Sequence, residues 1–151
     1  MLHVILYQAL LITCCAYAFA RGGSPERWAA AMMLLASLGS LASQAQLFSV
    51  SYHRVQVWVF VIDMLLLAGL FVLSVASTRF WPLWLAGLQL LAVAGHIIRA
   101  LDETTLPRGY QFLISAGAYP MVLLVALGAW RHRQRLRLYG ADRSWRDSFD
   151  P

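Results

Sequence analysis

The sequence contains no lysine, only two cysteines and few charged residues. Charged residues occupy 13% of the 151 positions and hydrophobic residues 60%, and every basic side chain other than histidine is an arginine. A soluble domain usually has about a quarter of its residues charged, so this composition argues against a water-soluble protein. The formal net charge of +5 does not indicate a nucleic-acid partner, because the arginines lie mostly between or after apolar blocks, as membrane topology requires.

The two cysteines, Cys14 and Cys15, are adjacent within an apolar block. Adjacent cysteines form a disulfide only with strain, and no CxxC or Cys/His spacing typical of a metal site is present. We therefore interpret both as small packing residues and expect no metal centre.

The apolar residues form blocks of transmembrane length. About twenty residues at roughly 1.5 Å each cross a hydrocarbon core of about 30 Å, and the mean hydropathy of the chain is +0.63. The pattern predicts an all-α integral membrane protein, a bundle of five transmembrane helices. The predicted spans are 2–20, 28–50, 55–77, 81–101 and 109–130, followed by an arginine-rich cytoplasmic tail at 131–151. The part of this tail after residue 137 is expected to be mobile. Four spans would remain if the AxA-like Ala18-Phe19-Ala20 were a cleavage site, but the missing positive n-region favours retention of the first span.

The arginines predict the orientation of the bundle. Five spans place the termini on opposite sides, and a cytoplasmic C-terminus gives that side Arg21, Arg27, Arg79 and the Arg131–Arg137 run. The other side then has only Arg54, Arg99 and Arg108. The positive-inside rule favours the N-terminus outside and the C-terminus in the cytoplasm. The lack of lysine beside abundant alanine, leucine and arginine is typical of a GC-rich bacterial genome, so we expect a bacterial inner membrane.

Polar side chains interrupt three of the spans in their outer halves. In the fourth span, Gln89, His96 and Arg99 share one helical arc, whereas the third span has a single carboxylate, Asp63, between apolar residues. We expect Asp63 to form an ion pair with Arg99 or a hydrogen bond with His96. The candidate ligand or ion pocket comprises Asp63, His96, Arg99, Gln89, Gln44 and Gln46.

This polar group has two interpretations. A lone carboxylate in lipid costs several kcal/mol, from about 2.5 upward, so Asp63 must either face the bundle interior or be protonated. The group could be an outward-facing site for a proton, an ion or a small solute. It could equally be a latch that fixes the order and rotation of the helices.

No cofactor or catalytic group is indicated. Haem between helices needs two axial histidines at matching depth, yet the candidate partner for His96 is His53 in a loop, with His3 at the N-terminus and His132 on the opposite side. The HExxH and phosphate-binding motifs are absent. We therefore predict a non-enzymatic protein without haem or another cofactor.

The arginine run after the last span, Arg131, Arg133, Arg135 and Arg137, is either a topology anchor or a docking strip for anionic lipid or an acidic partner. The leading functional expectation is an accessory, assembly or regulatory subunit that packs against a larger membrane protein or its own copies. The alternative is a carrier or binding protein for a proton, ion or small solute that uses the Asp63/His96/Arg99 pocket.

Overall fold

The computed structural model describes residues 2–45, 52–101 and 117–146. Within these ranges the chain forms five α-helices and no extended strand. They are α1 (Leu2–Arg21), α2 (Ser24–Ala45), α3 (Tyr52–Ala76), α4 (Trp81–Leu101) and α5 (Ala118–Tyr139). The predicted all-helical class is confirmed for this part of the chain.

Three of these helices are long and apolar enough to cross a membrane. The qualifying segments are Val4–Arg21 in α1, Val57–Ala76 in α3 and Trp81–Ile98 in α4. Helices α2 and α5 have 22 residues each, but no 18-residue stretch in their described parts qualifies. The structure therefore supports a helical membrane bundle with three candidate spans, and the count of five spans is not supported by it.

The last helix differs from the predicted span. Helix α5 runs from Ala118 to Tyr139, nine residues past the predicted end at 130, while 109–116 lie outside the described residues. The helix continues because arginine, glutamine and leucine are good helix formers. Its arginines and its glutamine make residues 131–139 too polar for a span. It ends at Gly140, whose φ of 71° is left-handed and whose N–H bonds to the carbonyl oxygen of Leu136 at 3.0 Å.

The five helices pack in a ring. Helix α1 contacts α2, α2 contacts α3, α3 contacts α4, and α4 contacts α5. Helix α5 closes the ring against α1 and also contacts α2. The turns at 22–23 and 77–80 and the end of α5 lie together at one end, which we call the basic end. Helices α1, α3 and α5 run toward the basic end, and α2 and α4 run away from it.

A single apolar core lies inside the ring. In α3 the buried residues Leu66, Leu70 and Leu73 follow helical spacing, and both cysteines are buried as expected from packing residues. The buried core residues from the other helices are Leu11, Cys14, Cys15, Ala18, Ala29, Ala30, Met33, Leu85, Ala86, Met121, Val122, Val125 and Ala129.

The outer surface of the ring is apolar as well. Leu35 on α2 and Leu65 on α3 are each 69% exposed, and Leu123 on α5 is 53% exposed. Contiguous exposed apolar surface of this kind is unusual for a soluble monomer. It fits a bundle surrounded by lipid, and it extends to α2 and α5.

Beyond α5 the chain turns back onto the bundle. Residues 141–146, the return segment, run antiparallel to the α3–α4 turn through a bridge between Ser77 and Trp145. The Thr78 N–H donates to the Ser144 carbonyl oxygen at 3.3 Å, and the Arg146 N–H donates to the Ala76 carbonyl oxygen at 2.9 Å. These hydrogen bonds give residues 141–146 a defined position against the α3–α4 turn, in a part of the tail for which the sequence predicted mobility.

Candidate functional site

Asp63 and His96 meet at the interface between α3 and α4. The imidazole Nε2 of His96 lies 2.9 Å from Oδ2 of Asp63, and the ring of Phe60, one turn before Asp63, packs edge-on against the imidazole at 6.3 Å. The side chains of Asp63 and His96 are 20% and 33% exposed. We call Asp63 and His96 the membrane pair. Phe60 packs against its imidazole, while both side chains remain partly exposed at the surface of the bundle.

Gln89 orients the carboxylate of the membrane pair. Its Nε2 donates to Oδ1 of Asp63 at 2.9 Å and to the backbone oxygen of Asp63 at 3.3 Å. Gln89 is itself only 4% exposed. One Asp63 oxygen therefore accepts from the Gln89 amide, and the other faces the imidazole of His96.

The membrane pair can exist in two charge states that differ by one proton. With a carboxylate and a neutral imidazole it has a net charge of −1, and with one more proton its net charge is zero. Uncompensated charge is costly in a low-dielectric surrounding.

The other predicted pocket residues are only partly placed. Arg99 lies on α4 one turn beyond His96, and Gln44 lies at the end of α2, but the structure does not describe their side chains. Gln46 lies outside the described residues altogether. The expected ion pair between Asp63 and Arg99 therefore stays a prediction. Of the six candidates, the structure brings together Asp63, Gln89 and His96.

A second polar contact lies at the same depth between α1 and α2. Gln8 and Ser37 exchange hydrogen bonds of 3.0 and 3.1 Å. Gln8, Ser37 and Asp63 each lie about 13 residues, or ~20 Å, from the basic end of their helices. The sequence analysis did not include Gln8, because a single glutamine near the start of an apolar helix gives no signal until its partner is known.

The most extensive ionic group lies elsewhere, at the basic end. The Asp142 carboxylate accepts two hydrogen bonds from the Arg79 guanidinium, at 2.7 Å (Oδ1) and 2.5 Å (Oδ2). His132 Nδ1 lies 2.6 Å from Asp142 Oδ2, and Arg135 Nε lies 3.1 Å from Oδ1. We call Glu26, Arg79, His132, Arg135 and Asp142 the basic-end cluster. Since a carboxylate only accepts, His132 Nδ1 carries a proton.

Glu26 is the least satisfied member of this cluster. Its side chain is fully buried, and the nearest charge is Arg79 Nε at 3.8 Å from Oε1. Within the described residues, neither Glu26 oxygen, nor Arg79 Nε, nor Trp81 Nε1 has a hydrogen-bond partner. Buried charges without hydrogen bonds oppose folding, so Glu26 is a weak point of the cluster.

The surroundings of Asp142 act on its protonation in opposite directions. Burial alone would raise the pKa of this carboxyl, but hydrogen bonds from Arg79 and His132, with the charges of Arg79 and Arg135, outweigh burial and leave the pKa below its ordinary value. Asp142 therefore stays ionised and holds the return segment against α5 and the α3–α4 turn.

The sequence analysis missed the basic-end cluster. It assigned Arg79 to topology and placed Asp142 in a mobile tail, and the arginines of 131–137 were treated as one strip. In the structure Arg135 belongs to the cluster, whereas Arg131 and Arg137 are exposed. The only sequence feature that pointed to this cluster was the acidic residue Glu26 close to the Gly22-Gly23 turn. This feature alone does not predict that Glu26 is buried.

The described residues contain no group of three or more His, Cys, Asp or Glu side chains arranged to hold a metal ion. The chain matches no protein-family model, and no curated protein or solved structure is significantly similar to it. The membrane pair and the basic-end cluster are therefore the main structural indications of function.

Proposed function

We propose that this chain is a small membrane protein that binds and releases a proton at the Asp63–His96 pair, as a proton-dependent carrier or binding protein. The observation that supports this is the 2.9 Å contact between Asp63 Oδ2 and His96 Nε2. Intramembrane ionisable residues that pair across helices are commonly parts of proton or substrate pathways. Histidine is suited to this role because its charge changes near physiological pH.

The proposal includes a topology. All five helices cross a bacterial inner membrane, with the N-terminus outside and the basic end in the cytoplasm. In support, exposed apolar side chains continue onto α2 and α5, and α2 has 22 residues, or ~33 Å at the rise of a helix. The described Arg21, Arg27, Arg79 and 131–137 arginines all lie at the basic end, where the positive-inside rule puts them.

Infrared difference spectroscopy of the protein in lipid tests proton binding directly. A pH step should produce a carboxyl band that disappears in D63N and shifts in H96Q. The control is D142N, which removes a carboxylate from the basic-end cluster and should leave this band unchanged. In proteoliposomes with a pH-sensitive dye, D63N should abolish proton movement that D142N retains.

The alternative interpretation as a latch makes a different prediction for the same variants. A latch requires D63N and H96Q to lower the folded yield equally, with no pH-dependent carboxyl signal in the parent protein. Folded D63N with full proton movement would also refute the proposal. Thermal unfolding monitored by tryptophan fluorescence reports the folded state of each variant.

A second candidate, the accessory subunit, has its own support. Between α3 and α4 lies an open, apolar groove of about 610 Å³. Its lining residues are Met64, Leu67, Ala68, Phe71, Leu83, Ala86, Gly87 and Leu90. A Cβ placed on Gly87 meets nothing within 4 Å, so another helix could approach closely there.

A photocrosslinker at Leu90 should give one discrete adduct in native membranes, and one at Leu35 on α2 should not.

A further inference from the structure

The basic end presents arginines from several helices at one level. Gly22 and Gly23, in the turn between α1 and α2, lie against Ala129 and His132 of α5. Residues 129–133 are therefore level with this turn. This alignment places four exposed or half-exposed arginines at the same depth: Arg21, Arg27, Arg131 and Arg133. Together with the exposed Arg137, one turn further along α5, they form what we call the arginine rim.

The two described acidic residues of this end, Glu26 and Asp142, do not neutralise the rim. Glu26 is fully buried, and the Asp142 side chain is 7% exposed and occupied by Arg79, His132 and Arg135. Within the part of the chain that the structure describes, the outward charges at the basic end are therefore all positive. Among the described residues, both acidic side chains of the basic end are buried, and neither contacts an arginine of the rim.

Two tryptophans fix the depth of the rim. Trp28 follows Arg27 and is 60% exposed, and Trp130 precedes Arg131 and is 50% exposed. Indole rings at the surface of a membrane protein favour the headgroup region. The adjacent guanidinium groups then lie at the level of the lipid phosphates, which arginine binds through two parallel hydrogen bonds.

We propose that the arginine rim binds the phosphate headgroups of anionic phospholipids. Consecutive residues of a helix are about 100° apart, so Arg131 and Arg133 leave α5 in directions about 160° apart. Arg27 lies on another helix. One compact acidic protein could not contact all of them, whereas lipids surround the bundle. Each exposed arginine near an anionic surface contributes on the order of fivefold in affinity.

Native mass spectrometry of the purified full chain in a neutral detergent tests the proposal. The protein is titrated with phosphatidylglycerol or with phosphatidylcholine, and the bound lipids are counted. We expect a clear preference for phosphatidylglycerol. The triple variant R21Q/R131Q/R133Q should lower that affinity on the order of a hundredfold, and single variants about fivefold each. The matched control R21K/R131K/R133K keeps the three charges and should retain most of the preference.

The outcomes separate lipid from other occupants. Equal retention of both lipids by the parent protein, or unchanged retention by the glutamine variant, would overturn the proposal. It is also overturned if the glutamine variant loses binding of a poly-glutamate peptide but keeps phosphatidylglycerol, because the rim would then dock acidic protein. Because detergent solution has no sidedness, an inverted insertion of a variant does not affect the result. The melting temperature of each variant shows whether it is folded. If the triple variant does not fold, the single variants at exposed positions are compared instead.

Discussion

Gln89 donates a hydrogen bond of 2.9 Å to Oδ1 of Asp63, the carboxylate oxygen that His96 does not contact. The amide thereby leaves Oδ2 as the oxygen that faces the imidazole of His96. It also explains why a buried glutamine is present in the middle of an apolar helix. Gln89 is a positioning residue for the membrane pair, and its removal should affect both stability and protonation.

The variant Q89L removes this hydrogen bond and leaves Oδ1 of Asp63 without its donor. An unsatisfied polar group of this kind costs about 1–3 kcal/mol, so we expect a lower melting temperature in detergent. The carboxyl infrared band of Asp63 should also shift, which a merely structural role would not cause. The control Q8L breaks the Gln8–Ser37 contact and should lower stability while leaving the Asp63 band in place.

Acidification should release the return segment. Because the folded pKa of Asp142 is below its ordinary value, its contribution to stability is fully present above the ordinary carboxyl pKa of about 3.9. The contribution is lost as the pH falls through the lower folded-state pKa. Hydrogen exchange of the Thr78 and Arg146 amides, corrected for the intrinsic rate, should therefore be slow at neutral pH and rise steeply in strong acid.

The variant D142A should release the same segment at neutral pH. Removing one partner of a buried ion pair costs about 3–5 kcal/mol, so exchange at Thr78 and Arg146 should rise by about a hundredfold or more. The control T78A removes one exposed side-chain hydrogen bond to the Arg143 carbonyl oxygen. It should raise exchange only about fivefold, since such a bond is worth about 1 kcal/mol. Similar exchange in both variants would show that the ionic contacts do not hold the segment.

Glu26 and Arg79 should respond unequally to neutral substitutions. Replacing Arg79 by methionine leaves Asp142 and Glu26 as buried carboxylates without their main cation, which costs about 3–5 kcal/mol. E26Q removes a buried charge without a hydrogen bond and leaves the Arg79–Asp142 pair intact, so it should be neutral or stabilising. Melting temperatures of the two variants in detergent check this asymmetry, and a larger loss in E26Q than in R79M would contradict it.

Two glycines on neighbouring helices provide a test of close packing. A Cβ on Gly128 would lie 2.9 Å from Cε2 of the Trp81 ring, whereas a Cβ on Gly87 meets nothing within 4 Å. We expect G128A to destabilise the bundle by about 1–3 kcal/mol through overpacking. G87A should stabilise it by about 0.5–1 kcal/mol, because alanine is the better helix former. Thermal unfolding of G128A and G87A measures both changes in stability. Equal changes in melting temperature would contradict the close contact between Gly128 and Trp81.

Much of the helical architecture could be predicted from local sequence, because it depends on properties of short stretches. Apolar blocks and polar turns placed α1, α3 and α4 within three residues of their ends. The helical arc that joins Gln89 to His96, and the cost of an isolated Asp63 in lipid, predicted that polar groups of α3 and α4 would face each other. These features can be read along the sequence alone. They hold in the fold because the short turn between α3 and α4 makes the two helices neighbours.

The tertiary structure alone determined the contacts between distant parts of the chain. The Asp142 carboxylate meets Arg79 across 63 positions of sequence, and only the left-handed turn at Gly140 and the packing of α5 against α1 bring them together. The same packing buries Glu26, divides the arginines of 131–137 between an internal cluster and an exposed rim, and pairs Gln8 with Ser37. A side chain's charge and polarity can be read from its position in the sequence, but its partner and its burial depend on which helix becomes its neighbour.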